Sequence, residues 1–164
     1  MTTYKATHIT NFDAKPPLTV NARLHGGVVK EYKDAYEEAD NANGDFTIVF
    51  KVPVDFVPSS LLFACDALGA GTADIGLYYK KADGTYAAVD DDCFATAIAV
   101  TGAVAQTEVL FEAAAANIDK TNYALWQWAG LSDRPAYGEM YVALTYDTGT
   151  SAAGTVRLVL RGTE

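Results

Sequence analysis

The chain has 164 residues, half of them hydrophobic and 20% charged, with a formal net charge of −9. This length and composition predict one domain that folds without a metal or disulfide staple, and they exclude an intrinsically disordered chain. The excess of 21 acidic over 12 basic residues argues against a dedicated nucleic-acid binder, which needs cations to displace counterions from phosphates.

The charge is uneven. Lys5, Lys15, Arg23 and Lys30 face only Asp13 in residues 1–30, a balance of +3 that leaves −12 on the rest. A basic N-terminal arm on an acidic body can dock on an acidic partner surface. Cys65 and Cys93 are too few for a disulfide framework and lie in no CxxC pair, so they read as free buried thiols of a chain made in a reducing cytosol. The start carries no apolar signal segment, no stretch is apolar enough to span a bilayer, and no Asn-x-Ser/Thr acceptor occurs.

Taken in chain order, residues 1–18 are polar and end at Pro16-Pro17, which hold the backbone extended. They read as an extended arm, with Tyr4, Ile9 and Phe12 as its apolar contact candidates. Leu18 to Leu24 alternates as a strand up to Gly26-Gly27. Residues 28–40 fit either period, but Asn43-Gly44 is a hairpin turn pair and a hairpin needs a strand before it. At least the first half is therefore read as strand. Phe46 to Val52 follows, then Ser60 to Leu68, which places Cys65 inside. Gly69-Ala70-Gly71 turns the chain, Ala73 to Tyr79 returns, and Asp83-Gly84 turns it again toward Tyr86 to Val89.

Asp90 to Val100 is the expected helix. Three aspartates open it, where negative charge suits the helix dipole, alanines fill it and Gly102 ends it. Gln106 to Phe111 reads as strand, and 113–137 as a long loop with a short helix or irregular strand. The close is an expected terminal hairpin: Met140, Val142, Leu144 and Tyr146 alternate, a Gly/Ser/Thr loop follows, and Val156, Leu158 and Leu160 alternate back. The expected fold class is mainly β, an antiparallel β-sandwich of jelly-roll-like type with one short helix and the N-terminal arm. The arm would be residues 1–18, and residues 19–164 a single domain.

Catalytic chemistry finds no purchase. His8 and His25 lie beside no serine or cysteine in a nucleophile motif, and both read as exposed. Asp90-Asp91-Asp92 lacks the spaced pattern of a calcium loop, and consecutive residues point in different directions, so it reads as a solvated helix start. Gly69-Ala70-Gly71-Thr72 lacks the Gly-Lys-Ser/Thr ending of a phosphate loop and reads as a turn. No catalytic residue, cofactor or metal is expected. Aromatics are more informative: ten tyrosines and two tryptophans. Trp126 and Trp128 share a face in extended chain, and with Tyr137 they form a candidate platform for a protein partner or a sugar, or else pack in the core.

The run Gly44-Asp45-Phe46-Thr47-Ile48-Val49-Phe50-Lys51-Val52-Pro53 resembles a strand-and-proline signature of small structural proteins of tailed bacteriophages, in which a Gly-Asp turn opens an apolar strand ending at proline. Leu61 to Leu68, Thr72 to Tyr79, the Asp-rich entry to Phe94 and Ala95, and Tyr141 to Tyr146 with Gly154 to Leu160 extend the likeness loosely over residues 44–160. The resemblance implies a non-catalytic virion protein of the capsid cement or decoration type, made in the host cytoplasm. Its implied partners are the major capsid protein and copies of itself in a homotrimer, with no nucleic acid and no membrane. A glycan-binding β-sandwich, or a tail or fibre component, is the alternative.

Overall fold

The structure is a computed structural model that describes residues 28–39, 41–112 and 115–164. The arm, the strand expected over Leu18 to Leu24, and both histidines lie outside the described residues. Eight strands follow one another: β1 (Val29–Glu38), β2 (Phe46–Pro53), β3 (Val57–Cys65), β4 (Thr72–Lys80), β5 (Tyr86–Ala99), β6 (Val104–Glu108), β7 (Glu139–Thr148) and β8 (Gly154–Thr163). Between β6 and β7 lie a 3-10 helix, Ala115–Lys120, and one short α-helix, α1 (Leu125–Trp128).

Two four-stranded sheets result, in the orders β1-β8-β3-β6 and β2-β7-β4-β5. Every pairing is antiparallel. The first strand pairs with the eighth, the second with the seventh, the third with the sixth and the fourth with the fifth. A long antiparallel ribbon rolled over itself gives this pattern, and it is the jelly-roll arrangement of a β-sandwich. The expected fold class is therefore found.

The connections differ from expectation. Among the described residues, β4 and β5 are the one consecutive pair that forms a hairpin. The Asn43-Gly44 turn does form, but Gly44 N donates to Tyr146 O and Tyr146 N to Asp45 O, each at 2.8 Å. The turn is stitched to β7, so β2 pairs with β7 instead of β1. The terminal hairpin is corrected in the same way: β7 and β8 are both strands, but they lie in opposite sheets. A turn residue permits chain reversal; it does not decide whether the next strand pairs with its predecessor or crosses the core.

The helix expected at Asp90 to Val100 is also corrected, because all of that stretch but Val100 lies within β5. Pairing with β4 overrides the alanine content, since propensity is a weak prior against tertiary context. The real helix is α1, in the segment expected to hold a short helix or irregular strand. Its start is held by Gln127 Oε1, which accepts from Ala124 N at 2.9 Å, and Leu125 N donates to Phe56 O. This seats Trp128 in the core beside Phe94 and Phe111, with ring centroids 5.4 and 5.8 Å away. Trp128, Tyr146, Phe56, Phe63 and Phe94 are the largest fully buried side chains, each contributing about 1.5–3 kcal/mol through burial.

Candidate functional site

The outer face of the β2-β7-β4-β5 sheet carries most of the unusual surface chemistry. Along β7, Met140, Val142, Leu144 and Tyr146 enter the core, as do Ala73, Ile75 and Leu77 of β4. Alternation sends Tyr141, Ala143, Thr145, Gly76 and Tyr78 to the other face. Ala143, Thr145 and Tyr78 are nevertheless buried. Aromatic rings close over that face. Phe46 stacks on Tyr78 at 4.8 Å, and the Tyr78 hydroxyl lies 2.8 Å from Thr145 Oγ1. Burial pushes the Tyr78 phenol up, with the Thr145 hydrogen bond opposing.

At the end of this sheet near the β4–β5 hairpin, a cluster of tyrosines continues the aromatic cover. Tyr86 meets Tyr141 edge to face at 5.0 Å, and Tyr79 stacks on Tyr137 at 5.3 Å. The Lys80 ammonium lies 5.6 Å from the centre of the Tyr86 ring, within cation–π range. Lys80, Tyr137, Gly138, Glu139 and Tyr141 line a hollow of about 150 Å³. Glu139 is ion-paired to Lys51 at 2.8 Å, which raises the Lys51 pKa. The hairpin turn is held by Asp83, whose carboxylate accepts from Thr85 N and Thr85 Oγ1, and these bonds lower its pKa.

The acidic run lies on the same sheet. Ile75 faces Ala95 and Leu77 faces Asp90, so four β5 residues stand against Gly76 alone. This bulge breaks alternation, and the Asp90, Asp91 and Asp92 carboxylates converge, with one oxygen from each within 4.8 Å of the others. The expected solvated helix start with diverging side chains is thereby corrected. Burial is the first cause pushing the Asp90 carboxyl up to about 6; Asp92 adds to it and Lys120 opposes. No histidine, cysteine or further carboxylate joins this trio among the described residues, and exposed acidic groups of this kind are ordinary surface features. A second bulge follows: Asp74 accepts from Ala97 N at 2.6 Å and Glu112 from Thr96 N at 2.9 Å. Burial raises the Asp74 pKa, and Ala97 takes a left-handed φ of 52°.

The opposite sheet presents paired charges. Glu31 meets both Arg161 (2.8 Å) and Lys33 (3.0 Å), and Arg157 donates to Gln106 at 2.8 Å. At the seam between β1 and β2, Glu38 is only 5% exposed and accepts from Thr47 Oγ1 at 3.0 Å. Burial is also the first cause holding the neighbouring Tyr36 and Tyr146 phenols far above their ordinary range.

The structure separates the residues singled out in the sequence. Tyr4, Ile9 and Phe12 lie outside the described residues. Trp126 and Trp128 sit on α1 and share no extended-chain face; Trp128 is fully buried and Trp126 half-buried. Buried in this way, Trp128 offers no ring to an outside ligand. Tyr137 is half-exposed and lines the tyrosine hollow. Cys65 and Cys93 are buried thiols, and burial raises both thiol pKa values, which makes them poor nucleophiles. Gly69 and Gly71 form a turn with φ of 77° and 98°. Sequence reasoning missed Lys80, Glu139, Tyr141 and Tyr86. Their signal was faint: polar and tyrosine positions on the outward phase of strands whose inward phase was plain. No helix of the described residues is long and apolar enough to cross a membrane.

No protein-family model matches the chain, and no curated protein matches it. Among solved structures it is similar to a chain in the capsid of Ralstonia phage GP4, at 17% identity and a TM-score of 0.55, over 82% of this chain and 84% of that one. It is also similar to a chain in the cyanophage Pam1 capsid asymmetric unit, at 16% identity and a TM-score of 0.51, over 90% of this chain and 93% of that one. At such identities the likeness establishes a common fold: this chain has the β-sandwich of two chains found in phage capsids.

Proposed function

We propose that this chain is a non-catalytic structural protein of a phage virion that binds the assembled capsid and stabilises it as a cement or decoration protein. The observation carrying this reading is the likeness to two phage capsid chains over at least 84% of their own lengths. Near-complete coverage supports a role built on the whole sandwich rather than on a shared fragment. The mechanism is mechanical. Weak contacts with the coat, repeated by the symmetry of the shell, add to a stable association. The partners are the major capsid protein and other copies of this chain as a homotrimer, on the capsid surface, after synthesis in the host cytoplasm.

The basic arm supplies a second contact in this reading. Residues 1–18, with Tyr4, Ile9 and Phe12, order on a neighbouring subunit and bury their apolar side chains there. Co-sedimentation of the purified chain with capsid shells from the same source tests the proposal. Saturable binding at a copy number matching the shell symmetry supports it. Absence from shells with presence on tails overturns it in favour of a tail component. Deleting residues 1–15 is expected to abolish binding with little change in melting temperature; retained binding removes the arm from the mechanism.

A further inference from the structure

We propose that the tyrosine hollow at the β4–β5 end of the sandwich binds a single uncharged sugar ring. It is lined by the half-exposed Tyr137 and Tyr141 and by Gly138. Lys80 and Glu139 bring an ammonium and a carboxylate to the same hollow of about 150 Å³. The ammonium and the carboxylate give the hollow both a hydrogen-bond donor and an acceptor, which suits an uncharged ring bearing many hydroxyls. Its hydroxyls accept from Lys80, donate to Glu139 and exchange hydrogen bonds with the tyrosine hydroxyls. Its C–H face packs on an aromatic ring, the usual division between an apolar wall and a few orienting polar groups.

The neighbours make this arrangement rigid. Tyr137 is braced by stacking on Tyr79, Tyr141 by the edge of Tyr86, and Glu139 by its ion pair with Lys51. Preorganised side chains lose little entropy on binding. The hollow is small and open, so affinity for one ring is millimolar. Many copies displayed on one particle multiply such a contact.

Gly138 provides a clean test. A Cβ built there meets nothing within 4 Å, and its φ lies outside the left-handed range. Gly138→Leu therefore adds bulk at the lining of the hollow without a clash of its Cβ. Amide NMR shifts of the full chain are followed during titration with glucose, galactose, mannose and N-acetylglucosamine. The expected result is a saturable shift at Lys80, Gly138, Glu139 and Tyr141 with at least one sugar. Gly138→Leu and Tyr141→Ala should each weaken it at least tenfold, with the melting temperature of Gly138→Leu unchanged. Absence of saturable shifts with all four sugars overturns the proposal, as does binding that survives both Gly138→Leu and Tyr141→Ala. The titration uses the free chain, so its failure is distinguishable from failure to bind shells.

Discussion

At the scale of single residues, two positions carry clear consequences. A Cβ at Gly76 would come within 2.2 Å of the Asp91 carbonyl carbon, and the obstacle is backbone. Gly76→Ala must displace the whole acidic bulge, so it is expected to destabilise the fold by about 3 kcal/mol, read by urea unfolding. Asp90 gives a pH signature. Its carboxyl is raised in the folded chain from 3.8 to about 6, so the folded state favours the protonated form. The resulting stability is fully present below pH 3.8 and is lost as pH rises through about 6. Asp90→Asn should therefore raise stability at neutral pH by about 1 kcal/mol, the shift being discounted for partial exposure. It should also flatten the melting temperature between pH 4 and 6, the window spanned by those two values. An unchanged pH profile in the variant would remove Asp90 as its source.

At the scale of elements, β5 is the strand most shaped by its partner. Its register against β4 shifts three times, and bulges of this kind re-aim side chains. Ala97 lies in one of them, at φ 52°, a conformation that costs a residue with a Cβ about 1 kcal/mol. Ala97→Gly is expected to stabilise the chain by up to about 1 kcal/mol and Ala97→Val to destabilise it by at least as much, checked by thermal melting. The short helix α1 works differently. Four residues cannot be a stable helix alone; Trp128 holds it by filling the core between Phe94 and Phe111. Trp128→Ala should cost about 3–5 kcal/mol, read by denaturant titration.

At the scale of the whole molecule, the rolled ribbon makes nearly every pairing non-local. Val29 faces Thr163 and Val57 faces the same residue from the other side. The last strand is thus an interior strand of its sheet, bonded to both β1 and β3. Removing residues 154–164 is expected to abolish folding altogether, with loss of the β circular-dichroism signal and of a compact elution volume. A truncated chain that still folds would mean that β8 is dispensable. The same topology predicts slow refolding, on the millisecond-to-second scale or beyond, because loop closure precedes the contacts that reward it. The two sheets also differ electrically. One face pairs Glu31 with Arg161 and Lys33, and the other gathers Asp90, Asp91 and Asp92.

The sequence by itself determined where most strands run and, in the closing pair, which phase is buried. In β7 and β8 the residues expected inside are inside: Met140, Val142, Leu144 and Tyr146, then Val156, Leu158 and Leu160. Period-two alternation is a local property, written in side chains two apart. Only the tertiary structure decided which strands pair. Asn43-Gly44 marks a turn equally well whether the chain folds back or crosses to the other sheet, and the crossing is fixed by Tyr146, about a hundred residues away in sequence, whose carbonyl accepts from Gly44 N and whose N–H donates to Asp45 O. The same holds for Asp90 to Val100, where helix-like composition yields to pairing with β4. It holds for the tyrosine hollow, whose members come from β4, β7 and the loop before β7. Lys80 and the run from Tyr137 to Tyr141, distant in the chain, become one site only when the roll brings β4 and β7 side by side.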